Sequence, residues 1–128
     1  MRLLLDTHVL LWVLEDSPRL SPAARTLVTD SANECWVSAV SVWEIAIKVA
    51  IGKLKLRGSL ETLEAAINEA RFATLDITIR HAVAVPRVST KHADPFDRLL
   101  LAQCEIETLK LLTADKLLKP SQHAIAAD

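Results

Sequence analysis

The chain has few glycines, cysteines and aromatic residues, and each shortage excludes a class of site. Gly52 and Gly58 are the only glycines among 128 residues, and neither belongs to a glycine-rich phosphate-binding loop, which excludes the usual nucleotide-binding motifs. Cys35 and Cys104 have neither zinc-ligand nor redox-motif spacing, and we expect both to be buried thiols. Two Phe, three Trp and no Tyr leave little surface on which nucleic-acid bases could stack.

The sequence also lacks an apolar run of membrane-spanning length. Asp6 and His8 interrupt the apolar residues near the N-terminus, and no small-residue cleavage site follows them. This pattern predicts a cytoplasmic protein with no membrane association. The composition is 51% hydrophobic and 24% charged, typical of a folded chain, and 128 residues fit one domain, 1–128.

A formal net charge of -1 provides no overall attraction to nucleic acid. A polyanionic partner would therefore have to use local basic patches. One such patch comprises Lys48, Lys53, Lys55 and Arg57. By itself it is typical of a solvated helix end and loop.

Short, continuously apolar segments alternate with helical segments along the whole chain. We predict strands at 2–5, 35–37, 73–75 and 109–112, and 123–125 is either a fifth strand at the edge of the sheet or a frayed tail. Continuous apolar strands are typical of strands covered on both faces. The pattern predicts an α/β protein with a central parallel sheet of four or five strands between two layers of helices.

Acidic residues recur where a predicted strand passes into a helix. These residues are Asp6, Glu44, Asp94, Asp97 and Asp115. The carboxyl ends of parallel strands meet at one edge of the sheet, so these acids are expected to meet in one cleft. Clustered carboxylates repel each other unless protons or cations neutralise them, and hard divalent ions prefer oxygen ligands. The placement predicts a metal-dependent phosphoryl-transfer site.

Each acid also has a structural interpretation. Asp6 and Asp94 are good helix N-caps, and we expect Asp94 to act as one, which leaves Asp97 as the stronger candidate ligand. Ser41, Glu44 and Lys48 form the only polar stripe of an otherwise apolar helix predicted at 41–51. Ser41 with Glu44 fits a capping box, and Glu44 with Lys48 fits an i, i+4 ion pair.

The four histidines show no zinc-ligand spacing. His92 precedes Asp94 by two residues and falls in a predicted loop. Contact with substrate is one interpretation of His92, and a merely solvated loop histidine is the more frequent one.

Two other functions are possible. Acids at strand ends also occur in phosphotransfer domains, and an apolar surface also occurs in modules that bind a partner helix. A receiver or dehalogenase-like phosphotransfer domain places acids at strand ends, but His8 occupies the position of the second dehalogenase Asp, and Asp76 lacks the supporting acidic pair of a receiver. A non-catalytic module that binds a partner helix is the other alternative. Retention of four acids argues against that alternative.

Several segments together resemble PIN-domain ribonucleases, and more narrowly the VapC-type toxins of bacterial toxin–antitoxin pairs. They are Leu5–His8, Val42–Lys48, Asp94–Gln103 and Thr113–Asp115. The resemblance covers nearly the whole chain in the same order. The chain departs from such proteins at Glu107–Thr108, where they often have a glycine, and in lacking their tyrosine-containing C-terminal segment.

The resemblance implies a PIN-like three-layer α/β/α fold and a Mg²⁺ or Mn²⁺ site formed by Asp6, Glu44, Asp97 and Asp115. It also implies RNA cleavage, a homodimer, and an antitoxin that lies over the cleft. For this site we expect Thr7 and Thr113 to support the acids by hydrogen bonding. Lys48 and Arg98 would either stabilise developing charge or balance the carboxylates.

Overall fold

The structure is a computed structural model that describes all 128 residues. The strands are β1 (Arg2–Leu5), β2 (Glu34–Ser38), β3 (Ala73–Leu75), β4 (Lys110–Thr113) and β5 (Ala124–Ala126). The helices are α1 (Thr7–Leu14), α2 (Pro22–Thr29), α3 (Ala39–Ala50), α4 (Leu60–Glu69), α5 (Ile79–Ala84) and α6 (Pro95–Glu107). A 3₁₀ turn, Val85–Arg87, follows α5.

The five strands form one parallel sheet in the order β3-β2-β1-β4-β5. The predicted parallel sheet is confirmed, and the C-terminal segment does form its fifth strand. The chain passes outward from β1 through β2 to β3, then returns to form β4 on the other side of β1. Ligand sites in open α/β sheets lie at the carboxyl ends of the strands beside such a reversal.

Side-chain alternation along the central strands divides the core into two parts. Leu5 and Leu112 pack with apolar residues of α1 to α4, whereas Leu4 and Leu111 pack with those of α5 and α6. The sheet is therefore covered by helices on both faces, and the predicted three-layer α/β/α architecture is confirmed. Cys35 and Cys104 are buried free thiols, as predicted.

Several helices begin or end at residues that are typical helix caps. Ser21, Ser59 and Thr78 each accept a backbone N–H at the start of a helix. Gly52 follows α3 with a φ of 75°, as a glycine beyond a helix C-cap does. The segment from Asp115 to Leu118 forms a hydrogen-bonded turn before Pro120.

Thr108 ends α6 in the left-handed region, with φ 55° and ψ 54°. This is where the resembling proteins often have a glycine. A β-branched residue is strained in this region, and glycine is not. Thr108 thus adopts the left-handed conformation that a glycine would adopt without strain at this position.

None of the helices is both long enough and apolar enough to cross a bilayer.

Candidate functional site

The predicted acids lie at the carboxyl edge of the sheet, around the reversal beside β1. Asp6 directly follows β1, Asp115 follows β4 by two residues, and α3, which carries Glu44, directly follows β2. Because β2, β1 and β4 are neighbours, the topology brings these three segments together. Asp97 reaches the same place from the first turn of α6.

Asp6 is held by two hydrogen bonds from residues far apart in sequence. Its Oδ1 accepts the Thr7 backbone N–H at 2.7 Å, and its Oδ2 accepts the Thr113 hydroxyl at 2.6 Å. The first contact caps α1, so the capping interpretation of Asp6 is correct. The second contact joins Asp6 to the end of β4. Burial raises the pKa of Asp6, and the two hydrogen bonds offset part of that rise.

Glu44 is buried and faces the same cleft as Asp6. The Thr7 hydroxyl donates to Glu44 Oε1 at 2.7 Å, and Lys48 pairs with the other carboxylate oxygen, as its i, i+4 spacing predicts. The hydrogen bond to Glu44 raises the pKa of Lys48. Thr7 thus contacts Asp6 through its backbone and Glu44 through its side chain.

The capping-box interpretation of Glu44 is wrong. Helix α3 begins at Ala39, and its N-cap is Ser38, whose hydroxyl accepts the Val40 backbone N–H at 3.0 Å. Ser41 is instead buried in the first turn of α3, with its Oγ 3.0 Å from Thr7 Oγ1. The polar stripe of α3 is therefore part of the cleft.

Asp97 has the most perturbed carboxylate of the cleft. Asp94 caps α6, as predicted, by accepting the Phe96 backbone N–H at 2.8 Å. Asp97 lies in the first turn of α6, three residues after Asp94, and is buried. Burial, together with the negative charges of Asp6 and Asp94, raises the pKa of Asp97 to about 7. In the absence of a cation, a proton therefore neutralises part of the cluster near neutral pH.

His92 is part of the site, so of its two interpretations the merely solvated loop histidine is wrong. Its Nε2 lies 2.9 Å from Asp115 Oδ2 and 3.0 Å from Asp97 Oδ2. Its Nδ1 accepts the Asp94 backbone N–H at 3.2 Å, so the proton of the neutral ring lies on Nε2, between the two carboxylates. The sequence signal was its position two residues before the cap of α6.

The acids around His92 also alter its protonation. Partial burial lowers the pKa of His92, but the hydrogen bond to Asp115 and the charges of Asp97 and Asp115 outweigh it, and the net effect is a raised pKa. Adding a second proton would break the hydrogen bond from Asp94. The hydrogen bond to Nδ1 therefore sets only the tautomer of the neutral ring, whose proton lies on Nε2.

Thr113 and Arg98 hold backbone and side chains in place around the acids. Thr113 accepts the Asp115 backbone N–H at 3.0 Å while it donates to Asp6. The Arg98 guanidinium donates to the backbone carbonyls of His92 at 3.1 Å and of Val88 at 3.4 Å. These bonds order the loop that carries His92, and Arg98 forms no ion pair with a carboxylate.

The donors in this cleft suit a hard divalent cation. His92, Asp97 and Asp115 form a close group whose potential ligand atoms lie within 4.8 Å of one another. Asp6 and Glu44 lie outside that close group, but their negative charges act on Asp97. Carboxylate oxygens predominate, which is the donor type that Mg²⁺ and Mn²⁺ prefer. The residues present therefore fit the kind of ion that the resemblance implies.

Comparisons with known proteins agree with this geometry. A family model described as PIN domain matches residues 3–119. Ribonuclease VapC22 of Mycobacterium tuberculosis (strain ATCC 25618 / H37Rv) is 31% identical over 121 residues, which cover 94% of this chain and 92% of that protein. Among solved structures, a chain of VapBC2 from Rickettsia felis, crystallised with a DNA fragment from their promoter, matches with a TM-score of 0.66 and 16% identity. That match covers 98% of this chain and 97% of the other.

Proposed function

The chain belongs to the PIN-domain family, and from this premise we propose that it is a Mg²⁺- or Mn²⁺-dependent endoribonuclease that acts as the toxin of a toxin–antitoxin pair. The 31% identity to a ribonuclease over nearly the whole of both chains supports the activity. Cellular RNA as the substrate would place the protein in the cytoplasm.

One observation carries the proposal: four carboxylates from separate parts of the chain converge at the carboxyl edge of the sheet. Asp97 and Asp115 approach the same imidazole nitrogen within 3.0 Å, and Asp6 and Glu44 are joined through Thr7. Burying several like charges in one cleft is unfavourable unless a cation compensates them.

We assign Asp6, Glu44, Asp97 and Asp115 as the residues that would hold the cation. When bound, a divalent ion supplies Lewis-acid activation of the phosphate and of water. Hydrogen bonds from Thr7 and Thr113 fix the orientation of the carboxylates that they contact, which narrows the geometries that the cleft can adopt. Lys48 compensates one negative charge at Glu44.

Removal of metal tests the activity. The purified protein should cleave single-stranded RNA with Mg²⁺ or Mn²⁺ and lose cleavage in EDTA, while its far-ultraviolet circular dichroism stays unchanged. A cation that binds only the folded state at about 100 times its Kd adds about 2.7 kcal/mol, which should raise the melting temperature by several degrees. Cleavage that persists in EDTA would contradict the proposed metal dependence. A metal-induced shift without cleavage would favour the non-catalytic binding module.

We also propose an antitoxin as the protein partner. The VapBC2 structure from Rickettsia felis that shares this fold is bound to a promoter DNA fragment. The gene beside that of this chain tests this partnership. If it encodes a small DNA-binding protein, the chain is better explained as a toxin with an antitoxin partner than as a housekeeping nuclease.

A homodimer is the third element of the proposal. Ile79 and Val83 are 86% and 66% exposed and lie four residues apart on one side of α5. An apolar stripe of this kind is stabilised when a second copy covers it. Sedimentation should show a dimer at tens of micromolar, on the order expected for a modest interface.

Two variants test whether this stripe of α5, and not another exposed apolar residue, forms the dimer interface. Ile79→Glu with Val83→Glu should give a folded monomer, because two buried charges would be unpaired in the dimer. Ile51→Glu, at an exposed apolar residue beyond α3, should remain dimeric. A wild-type monomer at this concentration would contradict the homodimer, and a dimeric double variant would exclude this stripe of α5 as its interface.

A further inference from the structure

A second, basic cavity lies next to the acidic cleft. It has a volume of about 1100 Å³, and its wall carries Arg87, Lys91 and Lys116 together with a single acid, Glu105. This volume is at or above the upper end of the roughly 300–1,000 Å³ typical of pockets for small ligands. An extended anionic ligand fits both its size and its charge.

Two of the cations on the cavity wall form no ion pair. Arg87 Nε lies 3.8 Å from Glu105 Oε1, so Arg87 neutralises the only acid on the wall. Lys91 and Lys116 are exposed and take part in none of the ion pairs of the structure. They are the residues free to bind an anion.

Two residues of the cavity wall are chain neighbours of residues in the acidic site. Lys91 is the chain neighbour of His92, and Lys116 is the chain neighbour of Asp115, and those two neighbours are in direct contact at 2.9 Å. Thr90, which also lines the cavity, accepts the His92 backbone N–H at 3.1 Å. Lys91 and Lys116 are therefore the cations of the cavity nearest along the chain to the acidic site, where a strand crossing that site would meet them.

We propose that this cavity binds the backbone phosphates of the RNA strand adjoining the phosphate that is cleaved. The inference rests on the proposed nuclease function and adds the path of the substrate to it. The acidic cleft repels a polyanion everywhere except at a bound cation, so affinity for the strand has to come from a basic surface beside it. Lys91 and Lys116 provide that surface.

The lining of the cavity indicates backbone contacts and little reading of bases. Val88 and Leu117 are its only hydrophobic residues, and it has no Phe, Tyr or Trp, so the His123 imidazole is the single ring on which a base could stack. Phosphate contacts fix the position of a strand and carry no direct sequence information. The cavity should therefore strengthen binding to RNA of any sequence.

One wall of the cavity is ordered before any ligand binds. Arg98 donates to the carbonyls of Val88, Thr90 and His92, at 3.4, 3.5 and 3.1 Å. A wall fixed in this way loses little conformational entropy when a strand binds. This gives Arg98 a positioning role toward the cavity.

The test removes the two free charges and measures binding and turnover separately. The double variant Lys91→Gln, Lys116→Gln should raise KM for single-stranded RNA by roughly two- to fivefold for each charge, with kcat unchanged. In EDTA, where the strand stays intact, fluorescence anisotropy with an end-labelled single-stranded RNA should show weaker binding. The slope of log K against log salt should become shallower by about 0.7 for each phosphate contact that is lost.

Arg71→Gln is the matched control. Arg71 is exposed and precedes β3 by two residues, so it lies at the opposite, amino edge of the sheet. This variant removes the same charge and should leave KM, affinity and salt slope unchanged. Equal losses in both variants would show a general charge effect and overturn the proposal.

The other outcomes are also decisive. Unchanged KM and salt slope in the double variant would exclude the cavity from the RNA path, even if the wild type cleaves RNA. Loss of polyglutamate binding with RNA binding intact would assign the cavity to an acidic peptide instead. A wild type that binds RNA through these lysines but never cleaves it would disprove the nuclease function and leave the cavity as an RNA site.

Discussion

Replacing Asp97 by Asn is expected to lower kcat/KM for RNA by more than roughly 100-fold, beyond the 10–100-fold typical of residues that only support a metal ligand. The substitution keeps the shape of the side chain and removes one of the negative charges that would hold the cation. Asp97 also contacts His92 and is buried at the centre of the cluster. Cleavage of single-stranded RNA with saturating Mg²⁺ or Mn²⁺ measures the loss.

Asp76→Asn is the control for this result. Asp76 directly follows β3 at the same edge of the sheet and is exposed, and only its backbone carbonyl accepts a hydrogen bond. Its removal should leave cleavage at the wild-type rate. An Asp97→Asn variant that retained full metal-dependent cleavage would remove Asp97 from the site and with it the proposed mechanism. An inactive Asp76→Asn variant would instead favour a receiver-like site on β3.

In EDTA, the free energy of unfolding is expected to fall as the pH rises from about 4 to about 7, and Asp97 is the main cause. Its pKa is about 7 in the folded protein, against 3.8 for an unperturbed Asp. Between these values the folded state holds a proton that the unfolded state has released. The stabilisation that protonated Asp97 contributes is therefore fully present below pH 3.8 and is lost as the pH rises through about 7.

The size of this effect is large for a single side chain. Each unit of pKa difference corresponds to about 1.4 kcal/mol, so the change across this range is on the order of a few kcal/mol. Urea unfolding in EDTA at several pH values measures it. Asp97→Asn should flatten the pH dependence and be at least as stable as the wild type at neutral pH, because one source of repulsion is absent.

The comparison variant is again Asp76→Asn, which should keep the wild-type pH dependence. An equally steep decline in Asp97→Asn would assign the proton to another group of the cluster. Asp6, whose pKa is also raised by burial, would then be the next candidate.

Local sequence patterns predicted most of the fold. Continuous apolar strands such as Arg2–Leu5 predict a sheet covered on both faces, and Asp94 before Pro95 predicts the start of α6. Such signals depend on the residue and its near neighbours, which are readable in the chain. The position of α3 was the exception, because Ser38 and Ser41 are both acceptable caps and only the end of β2 selects Ser38.

The sequence by itself determined the layers, the parallel sheet and the edge at which the acids collect. Those features follow from the alternation of elements and from the position of each acid after its strand. Only the tertiary structure decided the partners of each acid. The Thr113 hydroxyl reaches Asp6 across the β1–β4 pairing, and the loop held by Arg98 places His92 between Asp97 and Asp115. Such contacts join residues far apart in the chain, so they depend on strand register and loop path, which local composition does not encode.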